Sequence, residues 1–192
     1  VVLSCGIPDK GRVLTSLSCF WFDFIKDIIE NHLITTDVHK YPDNLQKYKP
    51  FLSGRSMLVL KSKPLPVECI VRGYLSGSGW KEYQQTQSVC GIRLPAGLLE
   101  SQKLPEILFT PSTKAQTGHD INVNQKYIED LLGRDIVVKL AKISIEIYKK
   151  ASDYALSRGI IIADTKFEFG IYEGELILID EILTPDSSRF WP

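Results

Sequence analysis

Leu17, Phe20, Trp21, Phe24, Ile25, Ile28 and Ile29 recur at steps of three and four residues. That spacing gathers an apolar face on one α-helix, with Thr15 or Ser16 as its N-cap. Ahead of it, Gly6 to Gly11 reads as a turn-rich loop centred on Pro8-Asp9-Lys10-Gly11. Residues 34–54 are polar, contain two prolines and read as a loop. Ser56 to Lys61 and Val67 to Leu75 have the character of strands. Between them, Lys63-Pro64-Leu65-Pro66 cannot pair as a regular ladder. Ser76-Gly77-Ser78-Gly79 then leads into a short helix around Trp80 to Gln84.

The second half is more periodic. Residues 86–120, with prolines at 95, 105 and 111, read mostly as loop. Val123 to Leu132 predicts a helix closed by Gly133. A longer helix follows from about Ile136 to Ser157, with Ile136, Leu140, Ile143, Ile147, Ala151 and Tyr154 on its apolar face and Gly159 as its stop. Ile160 to Phe169 and Glu175 to Glu181 predict a hairpin around Tyr172-Glu173-Gly174, and residues 184–189 a polar loop. Helices and hairpins come in blocks without regular βαβ alternation, so the expected class is α+β.

Composition narrows the function classes. The 192 residues suffice for one domain or two small lobes, and 44% hydrophobic with 24% charged residues is ordinary for a globular chain. Lys+Arg and Asp+Glu each number 23, so no net charge favours nucleic acid or a membrane surface as the main partner. No apolar run reaches the roughly 20 residues of a membrane span. Cys5, Cys19, Cys69 and Cys90 are scattered without a C-x-x-C pair, which favours reduced thiols in a cytoplasmic protein. The first residues lack the basic region of a signal peptide. The chain starts inside an apolar run and stops at Phe190-Trp191-Pro192, so a piece of a longer protein is expected. A homo-oligomer stays open.

Four segments are candidates for chemistry. In Asp164-Thr165-Lys166-Phe167-Glu168 a strand puts Asp164, Lys166 and Glu168 on one face, with Ala163, Thr165, Phe167 and Phe169 on the other. Three ionisable groups beside Ile160-Ile161-Ile162 are expensive to bury without partners. The hairpin brings Asp180 roughly opposite Glu168, a carboxylate pair suited to Mg²⁺ held together with phosphates. A solvated strand face is the alternative. Val71-Arg72-Gly73-Tyr74-Leu75 runs into the small residues 76–79 and a helix start, where an anion can approach and Arg72 can bind it; a plain flexible turn is the alternative. Residues 110–120, rich in hydroxyls with Lys114, His119 and Asp120, read as a substrate loop or as a loop that caps the next helix. Arg189 in Asp186-Ser187-Ser188-Arg189 follows the Asp180-Glu181 carboxylates and meets a phosphate beside a metal, or lies in a surface turn. No Ser or Cys pairs with His119 as a nucleophile, His32 and His39 carry no signal, and no zinc spacing exists.

Taken together, Gly11-Arg12-Val13-Leu14-Thr15, the run from Val71 to Trp80, Thr113-Lys114 with His119-Asp120, Asp164 to Gly170, and Asp180-Glu181 followed by residues 184–191 resemble the phosphoribosylaminoimidazole-succinocarboxamide synthase (SAICAR synthetase) family of purine biosynthesis. The resemblance spans nearly the whole chain. It implies a two-lobed α+β fold with the nucleotide between the lobes. It implies an ATP- and Mg²⁺-dependent ligase that joins L-aspartate to carboxyaminoimidazole ribotide, giving SAICAR, ADP and phosphate. Residues 1–66 then belong to the nucleotide lobe with its hinge, and 67–192 to the ribotide- and metal-binding lobe. By the same resemblance Arg72, Ser78 and Arg189 meet the ribotide, Glu168 and Asp180 the metal, and Lys166 and Asp164 serve catalysis between them. Lys114 and Asp120 are substrate-loop residues. Lys63, Leu65 and Glu68 lie in the hinge that meets adenine. Family members begin about fifty residues earlier, with a glycine- and lysine-containing phosphate hairpin, and continue past the Phe-Trp run. A module that binds the ribotide without turnover is therefore the alternative.

Overall fold

A computed structural model of the chain describes residues 5–113 and 121–192. The elements follow in the order α1 (Lys10–Phe24), β1 (Leu33–Thr35), α2 (Lys49–Leu52), β2 (Leu58–Val59), β3 (Lys63–Pro64), β4 (Val67–Tyr74), α3 (Gly77–Thr86), β5 (Ser88–Val89), β6 (Ile92–Arg93), β7 (Lys103–Phe109), β8 (Ser112–Thr113), β9 (Ile121–Asn122), α4 (Gln125–Leu132), α5 (Arg134–Leu156), β10 (Ile161–Tyr172), β11 (Glu175–Ile179) and β12 (Ser188–Trp191). Among the described residues none of the helices is long and apolar enough to cross a membrane.

The organising strand is β10. Its first half pairs antiparallel with β12 and β4, and its second half with β11 and β3. Strand β4 carries β7 and β8, and β9 pairs with β8. Phe167 and Phe169 point from β10 into the core, where they meet Val67, Cys69 and Val71 of β4, Leu178 of β11 and the buried faces of α1 and α5. Each large apolar side chain so buried contributes roughly 1.5–3 kcal/mol. Trp21, Phe22, Ile25 and Leu65 lie in the same cluster as the second half of the chain, so residues before and after position 66 share one core.

The sequence-predicted elements shift in instructive ways. Helix α1 starts at Lys10, not at Thr15 or Ser16, because Asp9 takes a left-handed conformation and turns the Gly6–Gly11 segment straight into the helix. It stops at Phe24, while Ile25 and Ile29 stay in the core from the following turn. Helix α5 has the expected extent, and Leu140, Ile143, Ile147 and Ala151 are buried as expected, but Val137, Ser144, Tyr148 and Ala155 widen the buried face while Ile136 is 37% exposed. Residues 34–54 are more than loop. They hold β1, α2 and two 3₁₀ turns, Val38–Lys40 and Asp43–Tyr48, whose three-residue period hides from a 3.6-residue search. Pro64 does sit in a ladder, opposite Gly170. The tail is not all loop either, since β12 pairs with the start of β10.

The stretch 86–120 holds a further correction. Strand β7 occupies Lys103–Phe109 despite Pro105, and the β5–β6 hairpin precedes it. A proline is tolerated there because β7 pairs with β4 along one side only among the described residues. Under α3, these strands enclose a second core cluster of Leu75, Tyr83, Val89, Cys90, Leu94, Leu98, Leu104 and Leu108. Burial pushes the Cys90 thiol up to about 12, with the Glu82 carboxylate adding to the shift. In the folded state the thiol keeps its proton while the unfolded chain releases it near 9, the ordinary value for the group. The contribution is therefore fully present below pH 9 and is lost as pH rises toward 12. The thermal midpoint is expected to fall from pH 9 to 11, and Cys90→Ala is expected to flatten that slope. An unchanged slope in the variant contradicts the assignment.

Candidate functional site

The cleft of interest opens where β4, β10 and β12 lie side by side. The register aligns Asp164 with Arg72 on one flank and with Arg189 on the other. Asp164 and Arg72 are 3% and 1% exposed. Arg72 Nη1 donates to Asp164 Oδ2 at 2.9 Å, and Arg189 Nη1 donates to the same oxygen. Arg72 also donates from Nη1 to the Ser76 carbonyl at 3.4 Å, from Nη2 to Ser78 Oγ at 2.8 Å and from Nε to Thr110 Oγ1 at 3.0 Å. Four of its five N–H donors are thus engaged within the protein, so its charge is held more by the fold than by a ligand. Burial lowers the Arg72 pKa, and the Asp164 carboxylate opposes that shift. Arg189, with half of its side chain exposed, is the accessible cation of the group.

Gly77 explains part of the small-residue run. Its φ is +57°, and a Cβ there would lie 2.3 Å from Arg189 Nη2. Only glycine allows both the turn from β4 into α3 and the approach of that guanidinium. The result is a basic pole made of Arg72, Ser78 and Arg189 at the start of α3.

An acidic pole lies further along β10. The expected alternation holds: Phe167 and Phe169 are buried in the core, while Lys166 and Glu168 are half-buried on the opposite face. Lys166 Nζ donates to Glu68 Oε1 at 2.7 Å and lies 3.6 Å from Glu168 Oε1. Burial works against the Lys166 charge, but its bond to Glu68 and the carboxylates of Glu68, Glu168 and Asp180 outweigh it and hold the pKa above the ordinary lysine value. Lys166 is therefore a cation at neutral pH and not a base. Asp180 is not directly opposite Glu168. The two-residue turn Glu173-Gly174 pairs Tyr172 with Glu175, which sets Glu168 against Ile179. Asp180 comes one residue later, and its φ of +64° takes it out of the ladder. Among the described residues no group of three or more His, Cys, Asp or Glu could hold a metal ion. Glu168 and Asp180 supply two carboxylates, and a Mg²⁺ site commonly uses one or two together with phosphates and water.

The basic pole and Lys166 line one cleft of about 370 Å³, with Ile70, Arg72, Ser78, Asp164, Lys166 and Arg189 among its walls, while Asp180 borders a separate cavity of about 260 Å³ together with His32 and Glu181. A larger cavity of about 490 Å³, walled by Leu17, Phe20, Trp21, Phe190 and Trp191, is almost wholly apolar and lacks this chemistry. Of the other sequence candidates, Lys114 and Asp120 lie outside the described residues. Lys63 is exposed in β3, and the Leu65 N–H donates to the Phe169 carbonyl at 2.8 Å. Glu68, expected in the hinge, is buried against Lys166 and accepts a bond from Ser112 Oγ. Thr110, the first residue of the expected substrate loop, directly follows β7 and accepts from Arg72 Nε, a role hidden by reading 86–120 mostly as loop.

Comparison with known proteins gives this cleft a context. The model of the SAICAR synthetase family matches residues 1–192. The chain belongs to the SAICAR synthetase family. A curated relative from Thermodesulfovibrio yellowstonii, named phosphoribosylaminoimidazole-succinocarboxamide synthase, is 62% identical over 191 residues, covering all of this chain and 65% of its own length. A protein of the same name from Geotalea uraniireducens is 64% identical over 193 residues with the same coverage. The chain thus spans about 65% of the length of these relatives. Among solved structures, the SAICAR synthase of Saccharomyces cerevisiae complexed with SAICAR superposes with a TM-score of 0.91 at 49% identity, over 100% of this chain and 65% of that one. A SAICAR synthetase in complex with ADP superposes with a TM-score of 0.77 at 26% identity, over 97% and 69%. The mixed helix and antiparallel-sheet fold of this chain is that of the family.

Proposed function

We propose that this chain carries the ribotide- and metal-binding part of an ATP-dependent ligase that joins L-aspartate to carboxyaminoimidazole ribotide in the cytoplasm, giving SAICAR, ADP and phosphate. The single observation that carries the reading is the order along β10 of the arginine pair on Asp164, the Lys166 cation and the Glu168 carboxylate. In this reading a phosphate meets the basic pole of Arg72, Ser78 and Arg189, which lines the cleft, and a cation with its phosphates meets Glu168 and Asp180 beyond it. Lys166 stands between them, where a carboxylate under activation gathers negative charge. In this reading residues 67–192 hold the ribotide and metal groups. Residues 1–66 belong to the nucleotide side, with Lys63, Leu65 and Glu68 at the hinge and Lys114 and Asp120 serving substrate.

Catalysis of this class rests on positioning and charge neutralisation. Asp164 holds Arg72 and Arg189 together, so the ribotide phosphate meets a prearranged site. Glu68 orients the Lys166 ammonium and keeps it charged. Glu168 and Asp180 are the residues that would hold Mg²⁺, which supplies charge neutralisation of the nucleotide phosphates when bound.

The rival reading, a ribotide-binding module without turnover, is disfavoured by the Lys166–Glu68–Glu168 cluster, for which a simple binder has no use. The deciding assay follows ADP release by the protein at the full length of its relatives. Release is expected only when ribotide, L-aspartate, ATP and Mg²⁺ are all present. Tight ribotide binding with no ADP release would support the rival.

A further inference from the structure

We propose that Tyr148 of α5 is a positioning residue that sets the geometry of the Arg72–Asp164 pair from the far side of the sheet; the inference rests on the ribotide-site reading of that pair. Tyr148 is 3% exposed, and its Oη donates to the Ile162 carbonyl at 2.6 Å. The same hydroxyl occupies the space beside Gly73 where a side chain would begin. A Cβ on Gly73 would lie 2.2 Å from Oη, 3.0 Å from Cζ and 3.2 Å from Cε1. Gly73 follows Arg72 directly, and Ile162 and Ala163 precede Asp164. One hydroxyl therefore touches the backbone immediately beside both members of the pair.

The strands are irregular at this very place. The β10–β12 register slips between Ile162 and Asp164, and the β4–β7 register slips between Arg72 and Tyr74. A bulge re-aims the side chain beside it, and its direction is only as well fixed as the bulge itself. Here the Tyr148 hydroxyl pins the bulge by taking the Ile162 carbonyl and filling the Gly73 hollow. Burial pushes its pKa up to about 12, so it stays a donor through the working range of pH. The absence of a side chain at Gly73 thereby acquires a purpose: it admits the hydroxyl that holds the site.

The test has two arms on the 192-residue chain, with thermal unfolding recorded for every variant. The first is independent of any ligand. Exchange of the Arg72 Nε–H, which is bonded to Thr110, is followed by NMR in wild type and Tyr148→Phe. It is expected to speed up about tenfold, the scale of one hydrogen bond, while backbone amides in the middle of α5 keep their rates. Equal rates at Nε–H, or a uniform rise everywhere, would overturn the proposal whether or not ribotide binds. The second arm is calorimetric titration with carboxyaminoimidazole ribotide. Tyr148→Phe is expected to weaken binding about tenfold alone but less than about twofold in an Arg72→Lys background, because the two act through one geometry. Additive losses, or no loss on Tyr148→Phe while Arg72→Lys weakens binding, would overturn it. No loss on Arg72→Lys itself would instead overturn the ribotide reading. Gly73→Ala is expected to abolish binding, and Gly73→Ala with Tyr148→Phe to recover part of it. The ring borders a cavity of about 330 Å³ and has room to shift once the oxygen is gone.

Discussion

Asp164→Asn is expected to destabilise the fold by about 3–5 kcal/mol, the usual consequence of breaking a buried ion pair from one side. Asp164 is the shared acceptor of Arg72 and Arg189, but the two arginines do not weigh equally. Arg189 reaches solvent with half its side chain, so losing its partner costs little. Arg72 is 1% exposed, and its remaining partners are two hydroxyls and a carbonyl. Without the carboxylate its charge stays buried and uncompensated. Urea unfolding should show a lower midpoint with the same slope, and the thermal midpoint should fall by roughly 6–20 °C. Arg189→Ala should shift stability by less than about 1 kcal/mol. A loss below about 1 kcal/mol for Asp164→Asn would mean that the pair is not what holds this part of the sheet together.

The second large effect is expected on turnover. Lys166→Met should lower kcat by about 10²–10³, the scale for removing a preorganised group that faces developing charge. Stability should fall as well, because Glu68 is 7% exposed and loses its ammonium partner, so turnover is compared per folded protein. The pH dependence separates a cationic role from a basic one. The Lys166 pKa lies above the ordinary lysine value, so the group stays charged up to at least that value. No limb of the rate profile below pH 10 should therefore belong to it, and its contribution is lost only as pH rises through its folded pKa. A limb near neutrality that vanishes in Lys166→Met would mean that the lysine acts as a base. Glu168→Ala probes the neighbouring metal assignment: it should raise the Mg²⁺ concentration needed for ATP use, and unaltered Mg²⁺ dependence would remove Glu168 from that role.

The sequence carried the fold unevenly. Strands β10 and β11 were legible because their turn is two residues long and because apolar and polar positions alternate from Lys166 to Phe169. The same alternation put Asp164, Lys166 and Glu168 on one face. Helix α5 was legible from its period, yet not the wider face that buries Tyr148, since a tyrosine at the edge of an apolar stripe gives no sign of what its hydroxyl touches. Strand β7 was hidden by Pro105 and by a burial pattern without alternation. With it went Thr110, one of the four groups that accept a hydrogen bond from Arg72. Glu68 shows a different limit. Its position in β4 was visible, but its partner Lys166 lies 98 residues away, and only the β4–β10 register brings the two together. That register also turns Arg72 from an apparent ligand contact into a residue mostly bound by its own fold.

The measurement that tests the central claim most directly is calorimetric titration of this chain with carboxyaminoimidazole ribotide, in wild type and Arg189→Ala. Arg189 is the cation of the basic pole that the fold needs least, so its removal reports on binding alone. Saturable binding by the wild type, weakened by about 1.5–3 kcal/mol in the variant, is the predicted result. A folded wild-type chain without affinity for the ribotide, or a variant that binds it equally well, would contradict the account.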